Sequence, residues 1–152
     1  MWLYNFGLML YALAIRLVSP RYPKAKLWIE GRKNLFERMA DAIDPKARIV
    51  WIHVASLGEF EQGRPIIERL RKEYPEYKIL LTFFSPSGYE IRKNYSGVDY
   101  IFYLPIDTPS NARRFLDIAH PEIAIFVKYE FWINLLTELR HRSVRTYIVS
   151  AI

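Results

Sequence analysis

From residue 48 onward the chain alternates short apolar runs with helical patterns, and this alternation constrains the fold more than any other feature. Ile49 to Ile52, Ile79 to Phe84, Tyr100 to Leu104, Ile123 to Val127 and Thr146 to Val149 are short, rich in β-branched and aromatic residues, and read as strands. Continuous apolar runs of this kind fit strands buried on both faces. Helical segments separate them, so the sheet should be parallel, with right-handed crossovers and helices on both faces, an α/β Rossmann-like arrangement.

The helices can be placed between these runs. Phe60, Gly63, Ile67, Leu70 and Tyr74 recur at spacings of three and four, which predicts a helix ending near Tyr74-Pro75. Pro65 lies inside it and predicts a kink or a broken first turn beside Gly63. A short helix from about Gly88 to Asn94 follows the turn Ser85-Pro86-Ser87-Gly88. Thr108-Pro109 supplies an N-cap and a proline at the first helical position, opening a helix through Ala112, Phe115, Leu116 and Ala119. A further helix runs from Phe131 to about His141. The chain ends in the apolar stretch Ile148 to Ile152, so it reads as one domain of a longer protein.

Residues 1–18 are an apolar segment, 19–47 a basic, helical connection, and 48–152 the Rossmann-like domain. Met1 to Ile15 carry no charged side chain, while Arg16, Arg21, Lys24, Lys26, Arg32 and Lys33 follow. A spanning helix needs about 20 apolar residues, and this run is shorter and interrupted by Asn5 and Gly7. It fits an interfacial or short anchoring helix at a membrane, with Trp2, Tyr4 and Tyr11 at the interface and the basic residues on the cytoplasmic side. The alternative is an amphipathic helix docked on the domain.

Several chemistries can be set aside. There is no cysteine, and His53, His120 and His141 have no metal-ligand spacing, so no metal is expected. The six glycines form neither a G-x-G-x-x-G fingerprint nor a P-loop, and no nucleophile elbow is present. A net charge of +6 suits anionic partners.

Glu59 is the foremost candidate, just past the carboxyl end of the first strand, where open α/β sheets bind ligands. Ser56-Leu57-Gly58-Glu59 also spells an S-x-x-E capping box, with Ser56 accepting from the Glu59 amide and the Glu59 carboxylate from the Ser56 amide. The functional reading turns Glu59 toward a cleft to accept a proton from an incoming hydroxyl. Glu130, after the fourth strand, is the second candidate. In a sheet ordered 3-2-1-4-5, strands one and four are neighbours, so both carboxylates border the switch-point crevice. Glu130 could instead pair with Lys128 or serve the next helix, and Phe131 and Trp132 read as core. Ser85 and Ser87, with the amides opening the next helix, could hold a phosphate or sugar hydroxyl, or form a plain turn. Arg64 could bind an anion or lie on a solvated face.

Together, His53 to Glu59, the Ser85 to Gly88 turn, Tyr103 to Pro109 and Glu130 to Asn134 resemble the amino-terminal half of 3-deoxy-D-manno-octulosonic acid (Kdo) transferases, over essentially the whole chain. That resemblance implies a two-domain GT-B glycosyltransferase moving Kdo from CMP-Kdo to a lipid A precursor at the cytoplasmic face of the inner membrane. The donor would bind a carboxyl-terminal domain outside this sequence, and this fragment alone would be inactive. It makes Glu59 the general base and Glu130 a residue that positions the acceptor or tunes Glu59. Ser56, Gly58, Ser85, Ser87 and Arg64 complete the expected acceptor site, and no cofactor and no nucleic acid partner is implied. Two positions depart from the family pattern: Lys128 where many members are acidic, and Ile133 where a proline is usual.

Overall fold

The computed structural model describes residues 2–149. Five strands, β1 (Ile49–Val54), β2 (Lys78–Phe83), β3 (Tyr100–Tyr103), β4 (Ile123–Val127) and β5 (Arg145–Val149), form one sheet in the order β3-β2-β1-β4-β5, every pair parallel. This is the order expected of a doubly wound sheet, and it makes β1 and β4 neighbours at the point where the order reverses. Ser150 to Ile152, the end of the terminal apolar stretch, lie outside the described residues.

Period-two alternation along β1 divides the core between the two faces. Ile49 and Trp51 point into a cluster with Leu80, Phe102, Phe115, Phe126 and Leu135, beneath α3 (Leu35–Ala42), α6 (Pro109–Ala119) and α7 (Ile133–His141). Val50, Ile52 and Val54 point into the other, with Phe60, Ile67, Leu81, Phe83 and Val127, beneath α4 (Leu57–Glu73) and α5 (Pro86–Arg92). Burial on both faces is why β1 is apolar without a break. Leu35, Met39 and Ile43 also enter the first cluster, so part of the segment expected as a connection completes the core.

Several boundaries differ from expectation, among them α5, which runs from Pro86 to Arg92 and so starts inside the turn Ser85 to Gly88. Helix α4 begins at Leu57 and runs to Glu73 without a break at Pro65, a site where proline removes only one backbone bond. Helix α7 begins at Ile133, not Phe131, because Lys128 adopts a left-handed backbone (φ 64°) and Trp132 takes the N-cap position.

Asp99 ties the β2 and β3 ends together. It accepts from the Ile79 amide at 2.9 Å and Arg71 Nη2 at 2.6 Å, with Lys78 Nζ at 3.1 Å. Burial alone would raise its carboxyl, but the Ile79 amide, Arg71 and Lys78 hold it below the ordinary 3.8. Its contribution is therefore present above that value and lost as pH falls through the lower folded one. Asp99→Asn should cost about 1–2 kcal/mol at about pH 7 and much less at about pH 3, read by urea unfolding.

Helix α1 (Trp2–Val18) lies across α2 (Pro23–Glu30), and no helix among the described residues is long and apolar enough to cross a membrane. Trp2, Leu3, Phe6, Leu10 and Leu17 are exposed along α1. Its opposite side is pinned by polar contacts: Tyr4 donates to Asp107 Oδ2 at 2.7 Å, and Asn134 Nδ2 donates to Asn5 Oδ1 at 2.8 Å.

Candidate functional site

The carboxyl ends of β1, β2 and β4 carry the candidate site. Glu59 is the third residue of α4, the position from which a carboxylate can fold back over the helix start. Its Oε2 accepts from the backbone amide of Ala55 at 2.5 Å. The capping box therefore forms with a different partner from the one expected. The Glu59 carboxylate reaches Ala55 in place of Ser56, and the Ser56 hydroxyl makes no cap bond. Glu59 Oε1 has no hydrogen bond among the described residues. Gly58 is exposed beside it.

Glu130 sits in the loop between β4 and α7 with its side chain 20% exposed. Among the described residues it forms no ion pair with Lys128. The cation-capable group that faces it is His53, with Nε2 3.6 Å from Glu130 Oε2. His53 is fully buried on β1. Its Nδ1 lies 2.9 Å from Thr82 Oγ1, which also accepts from the Trp51 indole at 2.8 Å, and its Nε2 accepts from Trp132 Nε1 at 3.1 Å. That bond leaves the ring proton on Nδ1.

The other expected residues are more dispersed. Ser85 accepts from the Ser87 amide at 3.3 Å, and the two hydroxyls are 3.0 Å apart, so they cap α5. The Ser85 amide donates to the Ala55 carbonyl at 2.8 Å, which brings this turn beside the Glu59 loop. Arg64 is spent along its own helix on Glu61 at 3.3 Å and Glu68 at 3.8 Å, and no contact links it to Glu130. Phe131, expected in the core, is 57% exposed, because the left-handed turn at Lys128 throws the loop outward. Trp132 is half-buried and packs on Phe84, with ring centroids 4.6 Å apart.

Trp132 leads from the carboxylates to a second feature. Phe84 also contacts Trp28 at 5.8 Å and Tyr11 at 6.3 Å, so an aromatic row runs from Trp132 to α1 and α2. Beside it opens a groove of about 470 Å³, walled by Met9, Leu13, Trp28 and Ile106, with Arg16, Arg32 and Lys33 on its lining. Arg32 donates to three backbone carbonyls, those of Leu104 (2.9 Å), Trp28 (3.0 Å) and Phe84 (2.9 Å), and its guanidinium lies 4.0 Å from the Trp28 ring centroid. Burial pushes it down to about 9, which still leaves it cationic at neutral pH. Among the described residues no carboxylate pairs with it.

Sequence reasoning missed His53, Thr82 and Asp107 as site-shaping residues. The available sign was a polar residue inside an otherwise apolar strand, at His53 and again at Thr82; the parallel register sets the two side by side. Asp107 accepts from the amides of Asn134 (2.9 Å) and Leu135 (2.8 Å) and so caps α7 from a separate loop, a pairing that no local spacing reveals.

The fold and the cleft define a doubly wound α/β domain with two acidic side chains at its switch point and a cationic, apolar groove alongside. A sequence profile of the 3-deoxy-D-manno-octulosonic-acid transferase (kdotransferase) family matches residues 33–152, and the chain belongs to that family. It is 31% identical over 137 residues to a 3-deoxy-D-manno-octulosonic acid transferase of Haemophilus influenzae, covering 88% of this chain and 30% of that protein. It is 40% identical over 88 residues to the Aquifex aeolicus protein of the same name, covering 57% and 24%. A Fusobacterium nucleatum protein called a bifunctional glycosyltransferase/methyltransferase is 26% identical over 145 residues, covering 93% and 22%.

Proposed function

We propose that the complete protein carrying this chain transfers Kdo from CMP-Kdo to a lipid A precursor, with this domain holding the acceptor. The observation that carries the reading is the aromatic row that leads from Trp132 to the groove between α1 and α2. The row starts at Trp132, in the loop that carries Glu130, and ends at a groove with apolar walls and three cations. A phosphorylated glycolipid has matching parts: a sugar for the carboxylates, phosphate for Arg16 and Lys33, and acyl chain for the apolar walls.

In this mechanism the acceptor hydroxyl sits against Glu59 Oε1 while the Ala55 amide fixes the other carboxylate oxygen. The hydroxyl oxygen attacks the anomeric carbon of Kdo as its proton passes to Glu59, and CMP leaves with the electron pair of the broken bond. The donor belongs to a second domain of GT-B type, for which the greater length of the relatives leaves room. Glu130 orients the acceptor, and Ser56, Gly58, Ser85 and Ser87 line its approach. Arg64, held by two carboxylates, contributes least.

Helix α1 lies flat on the cytoplasmic face of the inner membrane, with the exposed Trp2, Leu3, Phe6 and Leu10 in the lipid interface. The test is transfer from CMP-Kdo by the complete protein to a lipid A precursor and to other glycolipids, with vesicle sedimentation. Transfer to the lipid A precursor and sedimentation with anionic vesicles are expected. Transfer only to a different acceptor would make this another glycosyltransferase, and lipid binding without transfer from any donor would leave a lipid-binding module.

A further inference from the structure

We propose that His53 is the positioning residue for Glu130, holding its carboxylate in the acceptor cleft through a ring proton carried on Nε2. The inference rests on the transfer reading above. Within the described residues no amide or side chain donates a hydrogen bond to the Glu130 carboxylate, and the basic ring atom that faces it, at 3.6 Å, is His53 Nε2, which here accepts from Trp132. The loop that carries this carboxylate opens in left-handed backbone at Lys128 and leaves the side chain 20% exposed.

The ring itself is fixed. His53 is fully buried on β1, in register with Thr82 of β2 and Phe126 of β4, and it packs edge-on against Phe126 (5.8 Å) and Trp132 (6.1 Å). Two proton arrangements satisfy it. In the one this structure favours, Nδ1–H donates to Thr82 Oγ1 and Nε2 accepts from Trp132 at 3.1 Å. In the other, the Thr82 hydroxyl donates to Nδ1 and Nε2–H donates to Glu130, once the 3.6 Å separation closes and the Trp132 indole turns away. Thr82 Oγ1 keeps a lone pair for the Trp51 indole in both. The change takes one proton off Nδ1 and places one on Nε2, with no change in ring charge. Trp132 and Glu130 thus compete for a single ring atom. An acceptor sugar packing on Trp132 draws the indole away and delivers Nε2 to Glu130.

The test uses the complete protein with CMP-Kdo and lipid A precursor, and compares His53→Phe, His53→Gln, Glu130→Gln and the His53→Phe/Glu130→Gln double variant. Phe keeps the buried ring, and Gln keeps a polar group near the position of Nε2. His53→Phe should raise the acceptor KM or lower kcat by about tenfold or more, leave the CMP-Kdo KM unchanged, and add almost nothing in the Glu130→Gln background. His53→Gln should recover most of the loss. Additive losses in the double variant, parental kinetics for His53→Phe, or no recovery by Gln would each overturn the assignment. Should His53→Phe not fold, ¹⁵N spectra of the parent's His53 ring decide: the proton should move from Nδ1 to Nε2 when lipid A precursor is added, and a ring unchanged at saturation would overturn it. An inactive parent would instead overturn the transfer reading, and this assignment with it.

Discussion

Glu59→Gln should lower turnover of the complete protein at least about 100-fold while leaving its melting temperature within a few degrees of the parent. The structure makes this a clean substitution, because the cap engages only one oxygen of Glu59 among the described residues. Oε2 accepts from the Ala55 amide and closes the start of α4. Gln retains a carbonyl oxygen that can accept the same bond, so the cap survives. What Gln cannot do is take a proton from an attacking hydroxyl. Glu59→Ala should lose both, adding about 1 kcal/mol of helix-cap destabilisation to the same kinetic loss. Steady-state transfer assays with thermal melts of the three proteins separate the roles. Near-normal transfer by Glu59→Gln would reduce Glu59 to a cap.

This separation bears on what could be read from the sequence. Capping and catalysis looked like rival readings of one residue, because the S-x-x-E spacing counts residues and not oxygens. The strands and their order were legible because β1 to β4 are buried on both faces, or nearly so, which forces apolar runs broken only where the chain must turn. Once β1 and β4 were neighbours, the convergence of the Glu59 and Glu130 loops followed from topology alone. The partners of those carboxylates were not legible. His53 meets Glu130 across 77 residues of sequence, through a backbone turn at Lys128 that no residue type announces. The surroundings of Arg64 were not legible for the converse reason: nearness in sequence to the Glu59 loop says nothing of the Glu61 and Glu68 carboxylates beside its guanidinium.

The largest expected effect on stability belongs to Asp107→Ala. Asp107 is fully buried and receives three donors: the Asn134 amide at 2.9 Å, the Leu135 amide at 2.8 Å and the Tyr4 hydroxyl at 2.7 Å. Two of these are the otherwise unpaired first-turn amides of α7, so a side chain from another loop does the work of an N-cap. Alanine strands the two amides in a buried site and takes the partner of the part-buried Tyr4 hydroxyl. At about 1–3 kcal/mol for each unsatisfied buried group the cost should exceed about 3 kcal/mol, a large share of the stability of a small domain. Asp107→Asn keeps the volume and one acceptor and should cost less. Burial raises the Asp107 carboxyl against the pull of its three donors. A raised folded value means that the contribution is complete below the ordinary 3.8 and declines as pH climbs through the folded value. The gap between parent and Asp107→Asn should therefore be wider in acid than at neutral pH, and urea unfolding across that range would reveal a flat or inverted gap if the assignment is wrong. Tyr4→Phe removes the hydroxyl alone and should cost only about 1 kcal/mol. It frees α1 from the one fully buried carboxylate it touches, while α7, and with it the loop that carries Glu130 and Trp132, stays capped.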